Sequence, residues 1–408
     1  MPHPAMNRRD WLRATTALPL GLLGGRLWAA PADTPRFLLV FLRGAYDAAS
    51  LLLPQDAVAR TFYDESRPRI AVPRPDGGDG SARALDTDWA LAPAVHEGLW
   101  PLWQAGQLAF VPFAGNRDLS RSHFETQDQV ERGLGETRGP ASGFLARLAA
   151  ELDLPKAGGG LEVIAFTEQM PLVLQGLPGA AQVSLKSAGR PALDEQQRAL
   201  VERMYAGTAL QDTVREGFQT RQEVLREMTG EMAQANRNAI AARGFEAEAR
   251  RIGRLLRERV ALGFIDIGGW DTHANQGAAQ GTLATRLGEL SRGLAALAAE
   301  AGPATWQRTT VVVISEFGRT WRENGTRGTD HGHGSAYWVL GGAVRGGALR
   351  GEQVALRPDT LNQGRDWPVL NEYRALLAGL WARQYGLRPE ALARVFPGAP
   401  AARDLGLV

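Results

Sequence analysis

Thr309-Thr310-Val311-Val312-Val313-Ile314-Ser315-Glu316-Phe317-Gly318-Arg319-Thr320 is the stretch whose reading decides the fold. Its first six residues are β-branched throughout and show no alternation of apolar and polar positions. Such a run predicts a strand over 309–314 that is buried on both faces, as in the middle of a parallel sheet. An acid follows almost at once. Glu316 at the end of a buried strand is costly unless it is paired or bound. Arg319 stands close enough to be its salt-bridge partner, or to hold an oxyanion.

Similar runs lie on either side. Phe37–Leu42, ending on Arg43-Gly44, Leu108–Phe113 and Val260–Ile267 read as buried strands, with shorter ones at Glu162–Phe166 and Tyr337–Leu340. Between them come helical spacings at Ala92–Gln104, from Ser122 onward, at Phe144–Leu152, at Leu283–Ala299 and at Asn371–Tyr385. Strands alternating with helices predict an α/β chain with a doubly wound, mostly parallel sheet. Residues 66–88, rich in Pro, Gly and Asp, read as an exposed loop. The charged stretch at about 196–259 reads as a helical insertion or cap, since no heptad is sustained along it.

The N-terminus reads differently. Arg8-Arg9 precedes an apolar run, Ala17–Ala29, and then the small-residue site Ala30-Pro31-Ala32. This is the order of a twin-arginine signal peptide over 1–32, leaving one α/β domain over 33–408. The apolar run is too short to span a bilayer and is broken by Arg26. No later segment is apolar enough to span, so the expected mature protein is soluble and periplasmic, with the twin-arginine machinery as a partner. Four arginines against Asp10 put +3 on residues 1–32, so the +2 of the whole chain leaves about −1 on the rest. That balance argues against a nucleic-acid partner. The chain has no cysteine, which excludes disulfides, thiolate metal sites and cysteine nucleophiles.

Chemistry collects in five polar segments, four of them directly or shortly after expected strands. They are Arg43–Asp47, Leu119–Glu125, Gly268–His273, Ser315–Thr320 and Gly328–Gly334. Open α/β sheets place ligands at the carboxyl ends of their strands. On neighbouring parallel strands, Asp47, Asp271, His273, Glu316, Asp330, His331 and His333 would form one pocket of carboxylates and imidazoles. Such a set suits one or two divalent cations, and its ligand types are preferred by Zn, Mn or Fe. Plainer roles exist for each: Asp47 as a helix cap, Asp271-Thr272-His273 as a hydrogen-bonded turn, 330–334 as a glycine loop. Ser122 with Glu125 matches a capping box, and a serine at a helix start also sits where an anion is favoured.

These segments, in this order, resemble a bacterial family exported by the twin-arginine route, known as domain of unknown function 1501. That family is related to the alkaline phosphatase and sulfatase superfamily. The resemblance rests on Leu42-Arg43-Gly44 with Asp47, Ser122-His123-Phe124-Glu125 with Asp128, Gly269–His273, Ser315–Thr320 and Gly328–Gly332. It implies an alkaline-phosphatase-like fold and a metal-assisted site for phosphate or sulfate esters, with a divalent ion (Zn, Mn or Mg, one or two) as cofactor. Carried onto this chain, Asp47 is the acid after the first strand, and Ser122, or else Ser120, is the nucleophile. Asp271 and His273 follow, one residue apart where the superfamily more often has three. Glu316 is the acid of a pair whose His is replaced by Phe317, His331 is the last His, and Asp330 or His333 takes the missing ligand's place. Ala45 and Tyr46 depart from the family's glycine-rich first loop. Ser66-Arg67-Pro68-Arg69 is followed by Ile70 instead of Arg, which argues against a formylglycine nucleophile.

The expected activity is hydrolysis of a small-molecule or glycan ester, with Ser122 attacking, His123 as a neighbouring base and Arg319 on the anion. The alternatives are a non-catalytic exported protein that binds a metal or anionic ligand, and an accessory factor acting with a partner. Replacing Arg8 and Arg9 together by Lys is expected to leave the protein in the cytoplasm with residues 1–32 attached, as fractionation and intact-mass analysis will show. Processed, periplasmic protein from that variant rejects the twin-arginine reading.

Overall fold

A computed structural model describes residues 34–78, 80–135, 139–154, 162–183 and 240–408. The expected signal peptide, residues 1–32, and most of the expected insertion, residues 196–239, lie outside the described residues. The described strands are β1 (Arg36–Leu42), β2 (Leu52–Pro54), β3 (Arg83–Ala84), β4 (Trp89–Leu91), β5 (Leu108–Gly115), β6 (Glu162–Phe166), β7 (Ala181–Gln182), β8 (Ile240–Ala241), β9 (Val260–Gly268), β10 (Thr309–Ser315), β11 (Ser335–Leu340), β12 (Ala348–Leu349) and β13 (Asn371–Glu372). The described α-helices are α1 (Ala57–Ser66), α2 (His96–Gln104), α3 (His123–Arg132), α4 (Phe144–Glu151), α5 (Phe245–Glu258), α6 (Thr282–Trp306), α7 (Tyr373–Tyr385) and α8 (Pro389–Val395).

The main sheet runs β12-β5-β11-β10-β1-β9-β6-β7, with β13 added at β5 and β8 at β9. Pairing is parallel throughout except for β11, which runs antiparallel to both β10 and β5. A small antiparallel sheet, β2-β4-β3, lies apart. The unbroken apolar run of β1 is explained by its position between β9 and β10, where both faces are covered. Leu38, Val40 and Leu42 face one core with α2, α5 and α6 residues such as Leu99, Ile252 and Leu294. Phe37, Leu39 and Phe41 face a second core with Val130, Leu148 and Trp381 from α3, α4 and α7. This is the period-2 alternation of a strand, with helices on both faces of the sheet.

Register aligns the strand ends. Leu42 stands opposite both Ile267 and Ser315, so the chain leaves β1, β9 and β10 at one level. Because β11 is antiparallel, the loop before it, 328–334, reaches the same edge. The apolar run at 335–340 is readable as a strand, but its composition carries no direction. Two expectations are corrected here. Residues 66–88 are not all exposed: Arg67, Ile70 and Val72 are buried. Within the expected insertion, α5 packs along α6, and Gly253 leaves no room for a Cβ against the Leu297 carbonyl, 2.6 Å away.

Beneath the site edge, Arg43 is buried with two acids. Its Nε donates to Asp266 at 2.6 Å, and its guanidinium lies 2.9 Å from Glu131 and 2.9 Å from the Gln127 carbonyl oxygen. Burial raises the Asp266 carboxyl, and Arg43 opposes that rise. Removing one partner of such a group leaves uncompensated buried charge, which costs ~3–5 kcal/mol. Arg43→Met is expected to lower unfolding free energy by that amount in urea titrations at neutral pH. A loss below about 1 kcal/mol contradicts this account of the network.

Candidate metal centre

Glu316 follows β10 directly and is fully buried. Its charge is met by four N–H donors and by the Ser315 hydroxyl, whose one proton is shared with the Leu42 carbonyl at 2.7 Å. Oε1 receives the Gly44 N–H (2.8 Å), the Gln127 amide (2.9 Å) and His123 Nδ1 (2.8 Å). Oε2 receives the Ala45 N–H (3.2 Å) and the Ser315 hydroxyl (2.9 Å). Burial pushes the carboxyl up, but the His123 hydrogen bond and charge outweigh it and bring the pKa down to about 2. Gly44 and Ala45, both at positive φ, turn successive N–H groups toward the acid as an anion-binding nest. Gly44 is required there twice over, since a Cβ would lie 2.7 Å from the Asp271 nitrogen.

The expected Glu316–Arg319 pair does not form. Arg319 is buried and reaches the other side of the same turn, donating to the carbonyls of Ala45 (2.6 Å), Gly44 (2.8 Å) and Thr329 (3.0 Å). Its remaining direction is toward Asp271, with which it makes a close ion pair. The expected capping box is absent too: Ser122 caps α3 without a side-chain bond, and Glu125 accepts from Ser120 instead (2.7 Å).

His123, Asp271 and His331 converge, and His273 joins them through His331 and Asp271. His331 Nε2 lies 3.0 Å from both His123 Nε2 and His273 Nε2. Asp271 Oδ1 lies 2.9 Å from His273 Nε2 and 3.4 Å from His331 Nε2, and Oδ2 lies 3.6 Å from His123 Nε2. Ligand atoms of His123, Asp271 and His331 all fall within 4.8 Å of one another.

The other ring nitrogens decide what these atoms are. His123 Nδ1 faces Glu316, His273 Nδ1 faces Asp330 Oδ1 at 3.3 Å, and His331 Nδ1 faces the Arg121 carbonyl at 2.9 Å. Ionised carboxylates and carbonyls only accept, so each Nδ1 carries the proton and each neutral ring turns an Nε2 lone pair into the cluster. Lone pairs 3.0 Å apart repel unless a proton or a cation lies between them. With protons alone, burial pulls His123 down, but Asp271 and Glu316 lift it to about 9. His331 is held below its ordinary value by burial first, with the charges of His123 and Arg319 adding to it. Metal-binding histidines are oriented by this kind of Nδ1 acceptor. The donor set, its convergence and its fixed tautomers therefore fit a metal ion.

The structure does not bring Asp47 or His333 into the cluster. Asp47 is buried in a bidentate pair with Arg67, and it also accepts from Ser50 (2.7 Å) and Gln276 (2.7 Å). Burial raises its carboxyl and Arg67 more than reverses this, so it stays ionised. At His333 the backbone is already bonded to Gly318 on its way into β11, and the ring is buried with Asp366, Arg121 and Asp118 as charged neighbours. Asp330 touches the centre only through His273 and is half-exposed. Phe317 stacks on the His123 ring at 4.9 Å and lies tilted against His331 at 5.1 Å, forming an apolar wall. Sequence reasoning passed over Gln127 and Arg67. Gln127 was findable, four residues after His123 on one helix face. Arg67 sits in a segment whose composition argued for exposure.

The depressed carboxyl of Glu316 predicts a pH dependence. A folded-state value below the unfolded one adds stability above the unfolded value and loses it as pH falls through the folded one. A drop from 4.5 to about 2 corresponds to about 3 kcal/mol. Metal-free protein should lose that stability between roughly pH 4.5 and 2, and Glu316→Gln should flatten the curve over that window. Denaturant midpoints against pH provide the measurement, and parallel curves for the two proteins contradict the assignment.

No curated protein matches the chain. Among solved structures, it is similar to a protein in the alkaline phosphatase superfamily from Vibrio parahaemolyticus, at 11% identity and a TM-score of 0.41, over 92% of this chain and 73% of that one. It is similar to BT1596, a 2-O GAG sulfatase, at 11% identity and a TM-score of 0.38, over 87% and 71%. A third is Ps i-CgsB, solved in complex with k-i-k-neocarrahexaose, at 10% identity and a TM-score of 0.39, over 88% and 74%. A family model described as protein of unknown function (DUF1501) matches residues 34–396. The chain belongs to that family.

Proposed function

We propose that the protein is an exported, metal-dependent hydrolase of phosphate-type or sulfate-type esters, with His123, Asp271, His273 and His331 as the metal-binding groups. The observation that carries the reading is the meeting of three Nε2 lone pairs and a carboxylate at the carboxyl edge of the sheet, each ring fixed by its Nδ1 acceptor. A bound divalent ion supplies Lewis acidity there, polarising an ester oxygen and lowering the pKa of a nearby hydroxyl.

The chain's own groups divide the remaining work. Ser122 heads α3 with no capping bond on its side chain, leaving the hydroxyl for attack on the ester. The α3 N-terminus favours the anionic group brought against it. Glu316 orients His123, Arg319 holds Asp271, and Phe317 keeps water from one side of the imidazoles. His123, with its Nδ1 on Glu316 and its Nε2 in the cluster, is a ligand in this reading and not the base for Ser122. One observation favours the alternative of a metal-binding protein without turnover: Arg319, expected on the substrate anion, is committed to backbone carbonyls and Asp271. In the export reading of residues 1–32 the protein works in the periplasm. Among the described residues, no helix is long and apolar enough to cross a membrane.

The test is hydrolysis of a panel of phosphate monoesters, diesters and sulfate esters with Zn, Mn or Mg supplied. Ser122→Ala should lose at least 100-fold in turnover, on the order seen when such groups are removed, while stability moves by less than about 1 kcal/mol because no cap bond is lost. Full activity in that variant removes Ser122 from the mechanism. Metal-loaded wild type inert on every ester favours the binding protein.

A further inference from the structure

The number and kind of ion follow from the carboxylate inventory. A carboxylate has about four lone-pair sites. Glu316 has four N–H donors on its two oxygens, with the Ser315 hydroxyl beside Oε2. Asp47 accepts twice from Arg67, once from Ser50 and once from Gln276, with Oδ2 also facing the cluster-side loop through Gln276. Gln276 is itself held by the hydroxyls of Thr272 and Thr329 at 2.8 and 3.0 Å. Asp47 takes three of its bonds on Oδ2 and one on Oδ1, and its charge is already met by the Arg67 guanidinium, while the charge of Glu316 is met by N–H groups of the β1 turn and α3. Asp330 is half-exposed and engaged with Asn324 and His273 Nδ1 through one oxygen. Among the described residues, Asp271 is the carboxylate that faces the Nε2 atoms of all three imidazoles, with Oδ1 also paired to Arg319 and Oδ2 turned toward His123.

Arg67 explains why Asp47 is closed. Its guanidinium is buried and bound from both sides, by Asp47 on one and by the carbonyls of Trp321 (2.7 Å) and Thr320 (3.0 Å) on the other. Guanidinium stays charged at every working pH. A second metal at Asp47 would have to break these bonds and leave a cation buried without a partner, which costs several kcal/mol.

This inference rests on the reading that the cluster binds a metal. We propose that the centre is mononuclear and selects a zinc-class ion over magnesium, with the Arg67 guanidinium standing at Asp47 where a second cation would otherwise be held. Three imidazole nitrogens and one carboxylate suit such a borderline ion, whereas magnesium demands oxygen ligands and keeps its water.

Processed protein purified from the periplasm, stripped with a chelator and reloaded with zinc alone, should bind one ion per chain by native mass spectrometry and elemental analysis. Millimolar magnesium should not displace it. The double variant D47N/R67Q removes both buried charges together and should keep its single zinc within threefold of the wild-type affinity. His331→Ala should reduce occupancy at least tenfold. Two zinc ions per wild-type chain, or zinc lost from folded D47N/R67Q, overturns the mononuclear assignment and leaves the metal-dependent reading intact. Magnesium binding as tightly as zinc overturns the ion class. Wild type that binds no ion sinks the metal reading itself. Should the double variant not fold, as circular dichroism will show, the wild-type stoichiometry alone decides.

Discussion

A carboxylate at the end of the most apolar strand cannot be left unpaired, since burying an ionised group without compensation costs several kcal/mol or forces it neutral. Glu316 answers this by drawing donors from four places: the turn after β1, the last residue of β10, the first residue of α3, and the same helix one turn later. The pairing therefore seats the β1 turn and α3 against the end of β10. It also fixes the Nδ1 side of His123, so that Nε2 is the nitrogen left facing His331 and Asp271.

The Gly44–Ala45 turn is used on both sides. Its N–H groups face Glu316, and its carbonyls face Arg319. Arg319 in turn grips Asp271. Acid, peptide dipoles, base and acid thus alternate in sign across the sheet edge, from β10 through the β1 turn to the β9 loop. Each charge is balanced by its neighbour in a low-dielectric setting, where such interactions are strong. The residue expected to bind substrate anion is a strut in this arrangement, and the acid expected to bind metal is what aims a ligand. Both roles are one step removed from the centre, as is common for groups that orient metal ligands.

Much of this was legible in the chain. Apolar runs without alternation located the central strands, and the polar segments after them located the site edge. His123, Asp271, His273 and His331 stood out because imidazoles and acids near strand ends are expensive to bury idly. Other parts were hidden for physical reasons. Strand direction is not encoded in an apolar run, so the reversal of β11 that delivers His331 from a preceding loop was invisible. Whether an acid is open or closed depends on a partner distant in sequence. Asp47 and Arg67 are twenty residues apart across a helix and a small sheet strand, and Arg67 lies at the head of a Pro- and Gly-rich segment that reads as solvent-facing. Glu316 was recognisable as costly, but its nearest arginine in sequence was the wrong partner.

The proposed ligands come from α3, the β9 loop and the loop before β11, so the cluster exists only once the sheet has closed. In the unfolded chain the same groups are separated by up to 208 residues, and an ion held by any one of them is held weakly. Metal affinity and folding are then one equilibrium: whatever stabilises the sheet edge tightens the site, and an ion in the site stabilises the edge. The metal-free centre pays for its geometry by sharing protons among rings whose tautomers are already set. An ion relieves that conflict without moving any Nδ1 from its acceptor. If residues 1–32 direct export in folded form, as proposed, this finished centre travels with the chain, which would link the arginine pair at residues 8–9 to the chemistry proposed at the far edge of the sheet.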